Sequence, residues 1–297
     1  MTTFSALPGD AVLRRFEIGG GPLAVAELPA RGSTRGTLAV AEFPARGTTR
    51  GTAVLVPGFT GSKEDFRLLL DPLADAGIRV VAVDQRGQHD SPGPDDLAAY
   101  TVAALAGDLL ALLQQLGGGP VHLVGHSFGG LVARAAAIRQ PAALQSLVLM
   151  DSGPAALTGP RTELLPFLTP LLRSGGTAAV QAALDDLPDP RRDAQVPEVR
   201  DFLRRRFLAN NATGLEGMAV ALTSEPDRTA ELRSTGLPLL VLHGEHDDAW
   251  LPATQAEMAE RLGARYRVVP GAEHSPAVEN PAATAAELLS FWADLPN

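Results

Sequence analysis

Apolar residues in this chain fall into short unbroken runs that alternate with longer stretches of helical spacing. The run at 52–58, TAVLVPG, is apolar until Pro57 and Gly58 close it, which predicts a buried strand. At 63–76 apolar positions recur at helical intervals and stop at Gly77, as in a helix with glycine just past its end. Strand-like runs return at 78–87, 121–127, 144–151, 237–244 and 265–271. Helical patterns fall between and after them at 96–116, 129–140, 253–263 and 281–293. Strands that are apolar along their whole length have no solvated face. Separated by helices, they predict an α/β fold, a mostly parallel sheet with helices on both faces.

The alternation lapses between 153 and 235. Helical pieces at 162–173, 177–187, 197–210 and 214–224 are divided there by Pro and Gly, with no strand pattern. The prediction is a helical cap at 153–235, inserted into a core made of 1–152 and 236–297. A tandem repeat precedes the first clear strand. Residues 23–37 read LAVAELPARGSTRGT and residues 38–52 read LAVAEFPARGTTRGT, differing only at Leu28/Phe43 and Ser33/Thr48. Two units are too few for a solenoid. Each reads as an alternating strand followed by a turn. One copy is expected in the sheet and the other in an extra arm or loop, and their near identity leaves open which is which.

Composition narrows the function classes. The 297 residues are 45% hydrophobic and 20% charged, enough to bury a sizeable core and too apolar for a disordered chain. A net charge of −9 argues against nucleic acid as a partner. The absence of cysteine removes disulfides, thiolate ligands and cysteine nucleophiles. The first ten residues lack a basic segment followed by an apolar one, and no apolar run is long enough to span a bilayer. The expectation is a cytoplasmic protein that acts on a small molecule without a membrane partner. Oligomeric state is not legible.

Candidate chemistry centres on Gly125-His126-Ser127-Phe128-Gly129, a G-x-S-x-G pattern at the end of a predicted buried strand and the start of a helix. That context forces a tight turn, thrusts the Ser127 hydroxyl out above the sheet and aims the helix N-terminus at the same point. A serine hydroxyl is a weak nucleophile at neutral pH, so it needs a base, and the base needs an orienting acid. Among six histidines, His122 lies inside a strand, His126 occupies the variable motif position and His243 ends a strand. His274 follows the last strand in GAEHSP, where parallel sheets keep their chemistry. Position favours it, with His246 and His89 behind. The acid candidates are Asp247, in Gly244-Glu245-His246-Asp247-Asp248, with Asp248 and Asp151 as alternatives. The pairs His122/His126 and His243/His246 have metal-like spacing but lie on or beside strands, where such spacings do not converge, so no metal is expected. Gly125 to Gly130 is no dinucleotide fingerprint. Asn211-Ala212-Thr213 fits a glycosylation sequon without a secretion signal. Arg204-Arg205-Arg206 reads as a solvated helix face.

The order Ser127, Asp247, His274 on this framework resembles the α/β-hydrolase superfamily, in its serine-nucleophile branch with a helical cap. The resemblance covers nearly the whole chain. It implies about eight strands with an early antiparallel one, and a lid after the sixth. It implies Ser127 as nucleophile, His274 as base and Asp247 as acid, with no cofactor. The oxyanion hole would come from the backbone N–H groups of Phe128 and Phe59. Pro57 stands where many members carry histidine, but the Phe59 N–H survives, and the HGGG variant is absent. The implied activity is that of a carboxylesterase on a small to medium apolar ester. Leu164, Leu165, Phe167 and Leu168 are the cap residues expected to line the pocket or to pack the cap core. A carbon–carbon bond hydrolase, a lactonase, an acyltransferase or a weakly catalytic ligand receptor would use the same site. Serine at the nucleophile position argues against the dehalogenase and epoxide-hydrolase branches.

Overall fold

The computed structural model describes residue 7, residues 11–18 and residues 36–295. Its strands are β1 (Val12–Ile18), β2 (Gly36–Phe43), β3 (Gly51–Val56), β4 (Ile78–Val83), β5 (Val121–His126), β6 (Leu144–Met150), β7 (Leu239–Gly244) and β8 (Arg265–Val269). They form one eight-stranded sheet in the order β1-β2-β4-β3-β5-β6-β7-β8. β2 is antiparallel to both neighbours, and every other pairing is parallel. This is the α/β architecture expected from the unbroken apolar runs. In β3, Val54 and Val56 face one core while Ala53 and Leu55 face the other, and all four are buried. Alternation along the strand therefore feeds two cores at once. Each fully buried leucine or valine contributes about 1.5–3 kcal/mol.

The core helices before the insertion are α1 (Arg67–Asp75), α2 (Val102–Leu116) and α3 (Phe128–Arg139). The Val54 face packs on α2 and α3 through Leu105, Leu109, Leu131 and Val132. The opposite face packs on α1 through Leu69, Leu70 and Leu73. Between β6 and β7 lie α4 (Leu165–Asp185), α5 (Pro190–Ala194), α6 (Pro197–Leu208), α7 (Ala212–Ser224) and α8 (Thr229–Ser234). After β7 come α9 (Pro252–Leu262), α10 (Pro276–Glu279) and α11 (Pro281–Ala293), the last packing Leu288, Phe291 and Trp292 on the α1 side.

Three local departures from the sequence expectation have physical causes. The stretch 96–116 is not one helix. Thr101 is extended, with ψ of 151°, and its side chain caps α2 by accepting from the Ala104 N–H at 3.2 Å. The helical pieces expected at 162–173 and 177–187 run together as α4, bent where Gly175 and Gly176 leave helical geometry. β1 had no expectation, because Arg14, Arg15 and Glu17 interrupt its apolar pattern, yet Phe16 and Ile18 are buried. Of the tandem repeat, the second copy supplies most of β2 and the start of β3. The first copy lies outside the described residues except for Gly36 and Thr37.

Candidate active site

Four non-glycine residues among those described have positive φ: Thr60, His89, Ser127 and Asp151. Each stands just beyond the C-terminal end of a successive strand, β3, β4, β5 or β6. Backbone strain of this kind costs about 1–3 kcal/mol per residue and persists only where the surroundings enforce it. Its concentration at one end of the sheet marks that end for function.

At Ser127 the enforcement is visible. φ is 53° and ψ is −121°, and α3 begins at the next residue. The Ser127 N–H donates to the Met150 carbonyl at 2.9 Å, pinning the turn to β6. A Cβ on Gly129 would stand 2.4 Å from the Val56 and Pro57 carbonyl oxygens, so only glycine lets the helix come this close to β3. Phe128 is the first residue of α3, and a first-turn N–H has no acceptor within its own helix.

His274, in the loop between β8 and α10, places Nε2 3.0 Å from Ser127 Oγ and Nδ1 2.7 Å from Asp247 Oδ1. All three residues are buried. Asp247 also accepts from the Ala249 N–H at 2.9 Å and from Gln255 Nε2 at 2.6 Å. Burial pushes its carboxyl up, but the hydrogen bond and charge of His274, with the Ala249 and Gln255 donors, outweigh burial and hold it below the usual carboxylate range. The alternative acids are engaged elsewhere. Asp248 pairs with Arg161 at 2.6 Å on the partly exposed rim. Asp151 is fully buried and accepts from the Gly244 N–H at 2.9 Å. Burial, then the adjacent Asp247 charge, raise its carboxyl well above the usual range, so it enters as a neutral acid.

The other histidines divide by surroundings. His122 bonds Ser146 at 2.9 Å and stacks on Trp292. His243 bonds the Gly244 carbonyl and the Tyr266 hydroxyl, both at 2.7 Å. His246 lies in the solvent, and His89 packs against Phe202 of α6. His126 was read only as a variable motif position, yet its Nε2 lies 2.7 Å from the His274 carbonyl oxygen. A carbonyl only accepts, so Nε2 carries the proton and ties the His274 loop to the Ser127 turn. Burial, then the nearby His274, push the His126 imidazole down to about 4, so it stays neutral.

Beyond β3, Gly58 lies against Ser127. A Cβ there would be 3.0 Å from Ser127 Cβ and 3.4 Å from its Oγ. Gln85 and Gln88 donate to the Pro57 and Gly58 carbonyls at 2.9 and 2.7 Å, fixing the loop that carries Phe59. Sequence reasoning missed both glutamines, and their only signal was a polar loop after a buried strand.

Glu64, His89 and Asp90 gather their ligand atoms within 4.8 Å. The Lys63 ammonium already sits among them, 3.0 Å from Glu64 and 2.7 Å from Asp90. Asn211 of the sequon caps α7 through the Gly214 N–H at 2.7 Å and donates to the Gly93 carbonyl.

Above Ser127 is a cavity of about 320 Å³, walled by apolar side chains that include Leu157, Leu165, Leu222 and Val278. Of the four expected cap residues, Leu165 lines this cavity and Leu168 packs on the core. Leu164 and Phe167 are exposed. Arg206 corrects the reading of 204–206 as a solvated face. Its side chain is 13% exposed, lines the same cavity and pairs with Asp65, because α6 turns it inward over the Phe202 ring.

The model of the alpha/beta hydrolase family matches residues 53–287, most of the chain and all of this site. The chain belongs to that family. Among solved structures, this alpha/beta hydrolase is similar to a thermophilic esterase from Thermogutta terrifontis, with a TM-score of 0.73 and 27% identity over 87% of this chain and 94% of the esterase. It is similar to the enol-lactonase from Burkholderia xenovorans LB400, with a TM-score of 0.74 and 25% identity over 87% of this chain and 97% of that one. A proline iminopeptidase of Lactobacillus delbrueckii subsp. lactis is 29% identical over 264 residues, 80% of this chain and 88% of the relative. The alpha/beta hydrolase is thus a hydrolase with esterases among its structural neighbours. No helix among its described residues is long and apolar enough to cross a membrane.

Proposed function

We propose that this alpha/beta hydrolase is a serine esterase working through Ser127, His274 and Asp247, with 153–235 as its cap. The observation that carries the reading is the unbroken chain from Ser127 Oγ through His274 to Asp247, with an apolar cavity at its open end. His274 Nε2 takes the Ser127 proton as Oγ attacks the acyl carbonyl. The oxyanion is held by the Phe59 and Phe128 N–H groups, each worth about 3 kcal/mol because the charge develops only in the transition state. Asp247 keeps the Nδ1 proton in place and stabilises the imidazolium. His274 then returns its proton to the leaving alkoxide, and the acyl-enzyme forms. Water attacks next, giving its proton to His274, and collapse of the second tetrahedral species releases the acid and restores Ser127.

The cavity is sized for a small to medium acyl or alkyl group, and most of its wall is apolar. The same steps would open a lactone, and the likeness to an enol-lactonase supports including lactones in the first screen. The test is turnover of p-nitrophenyl esters of increasing chain length by wild type and Ser127→Ala. Wild type is expected to show a chain-length optimum, and kcat is expected to fall by at least about 10⁴-fold in the variant. Equal inertness of two folded proteins would reject ester hydrolysis.

A further inference from the structure

The catalytic cavity is not apolar all round. It meets an outer cleft of about 940 Å³ beneath the cap, and three residues line both spaces: Thr60, Arg161 and Arg206. They form the neck between the two spaces. Two of the three are arginines, one from the start of the insertion and one from α6.

Each guanidinium is anchored and only partly used. Arg206 gives Nη1 to Asp65 and, at 3.5 Å, to Ser62 Oγ. Its Nε is buried and has no hydrogen-bond partner among the described residues. The second Asp65 oxygen accepts from the Ser62 N–H at 3.1 Å, and Arg206 Nη2 donates to no described residue. Arg161 is held by Asp248 through Nε at 2.6 Å, which leaves both of its terminal nitrogens free of bonds to described residues. A guanidinium carries five N–H groups in a fixed fork. A terminal N–H without a protein acceptor is free to donate to a ligand in the neck. A planar anion with two oxygens fits a fork best. Asp65 is the one carboxylate that lines the cavity with the two arginines, and Asp248 holds Arg161 from outside that wall.

We propose that the preferred substrates are esters with a carboxylate at the end remote from the scissile bond, bound at the neck by Arg206 and Arg161. The inference rests on the serine esterase reading and narrows its substrate class. The apolar wall below the neck takes the methylene chain, and the number of methylenes sets whether the carboxylate reaches the arginines.

The test compares p-nitrophenyl butyrate and longer neutral esters with the mono-p-nitrophenyl esters of succinic, glutaric and adipic acids. Each is measured with wild type, Arg206→Gln and Arg161→Gln. Wild type is expected to favour at least one carboxylate ester over its neutral counterpart by about tenfold or more in kcat/KM. That ratio should fall by about tenfold in each variant, and in wild type it should shrink as salt is raised. The ratio matters because Arg206 also ties α6 to Asp65. A purely structural latch would lower both esters together and leave the ratio unmoved. A wild-type ratio at or below one, or a ratio that neither substitution changes, overturns the proposal. If wild type turns over no ester at all, the esterase reading fails, and glutarate binding to Ser127→Ala by calorimetry tests the neck alone. Binding that disappears on adding Arg206→Gln upholds the anion site, and absence of binding overturns it.

Discussion

The sheet and the cap are built on opposite terms. Every residue of β7 is buried, and so are most of those in β3 to β6. In the 21 residues of α4 only Leu165, Leu172 and Val180 are buried, and in α6 only Phe202. The cap is anchored mainly by α7, whose Leu215, Met218 and Leu222 are buried. Elsewhere a few side chains such as Leu165 and Leu232 reach the core, beside charged contacts such as Arg206 with Asp65. Close packing holds atoms to a fraction of an ångström, which a hydroxyl, an imidazole and a carboxylate in series require. Sparse burial leaves a segment free to open locally at low cost. Rate should therefore be controlled from the strand ends and selectivity from the cap.

The largest expected effect probes the strand-end side. Asp247→Asn keeps the shape and removes the charge that fixes the His274 tautomer. kcat is expected to drop by about 10⁴-fold with little change in KM. Stopped assays on the best p-nitrophenyl ester measure it. A drop of tenfold or less would mean that the division between rate and selectivity is wrong.

A cap substitution should behave differently. Leu165→Ala removes buried side-chain volume from the cavity wall without touching Ser127 or His274. The preferred acyl chain is expected to lengthen by one or two methylenes, each worth about 1–3 kcal/mol of discrimination. kcat on the new best ester should stay within about tenfold of wild type. An unchanged optimum with a large loss of kcat would place Leu165 with the catalytic core instead.

The same contrast explains what could be read beforehand. Ser127 sits in a local motif, and Asp247 and His274 each follow a strand whose apolar run is plain, so short-range signals pointed to the three side chains that the fold brings into contact. His126, Gln85 and Gln88 carry no such signal, because their roles depend on carbonyls in other segments: His274 for the first, Pro57 and Gly58 for the others. Arg206 was misread for the same reason. A run of three arginines looks solvated until the fold brings Asp65 to it across 141 positions. Thr101 was overlooked because a cap residue between two helical patterns does not break their apolar spacing.

A smaller effect concerns Asp151. Unfolded, its carboxyl ionises near pH 4, as any aspartate does. Folded, burial and then Asp247 keep it protonated to well above that. The folded state therefore binds more protons than the unfolded one, and stability falls as pH rises above about 4. Asp151→Asn has no proton to lose and still accepts from the Gly244 N–H. Its Tm is expected to exceed wild type at pH 7 by roughly 2–4 °C for each kcal/mol recovered, with the difference vanishing below pH 4. Activity should stay within about threefold if Asp247 is the acid, as proposed. A variant inactive at every pH would transfer that role to Asp151.

The smallest effect tests how much of the chain the comparison needs. Ile18 pairs with Gly36, and β2 proceeds from there as the partner of β1 and β4. Removing 23–37 joins Pro22 to Leu38, so Gly21 can take the place of Gly36 opposite Ile18. Gly19 and Gly20 would then form a two-residue hairpin turn, for which Gly-Gly is a favoured pair. The second repeat copy keeps every β2 residue that pairs with β4. Pro22 would stand where Thr37 faces Glu17, which costs at most one ladder hydrogen bond, about 1 kcal/mol. Melting temperature is therefore expected to shift by no more than about 4 °C. Since β2 keeps its pairing with β4, which adjoins the catalytic strands, kcat/KM and the chain-length optimum should be unchanged. Differential scanning calorimetry and the ester series on the purified deletion variant measure both. Loss of soluble protein would show that the first copy stabilises the core, and a shifted optimum would show that it reaches the substrate.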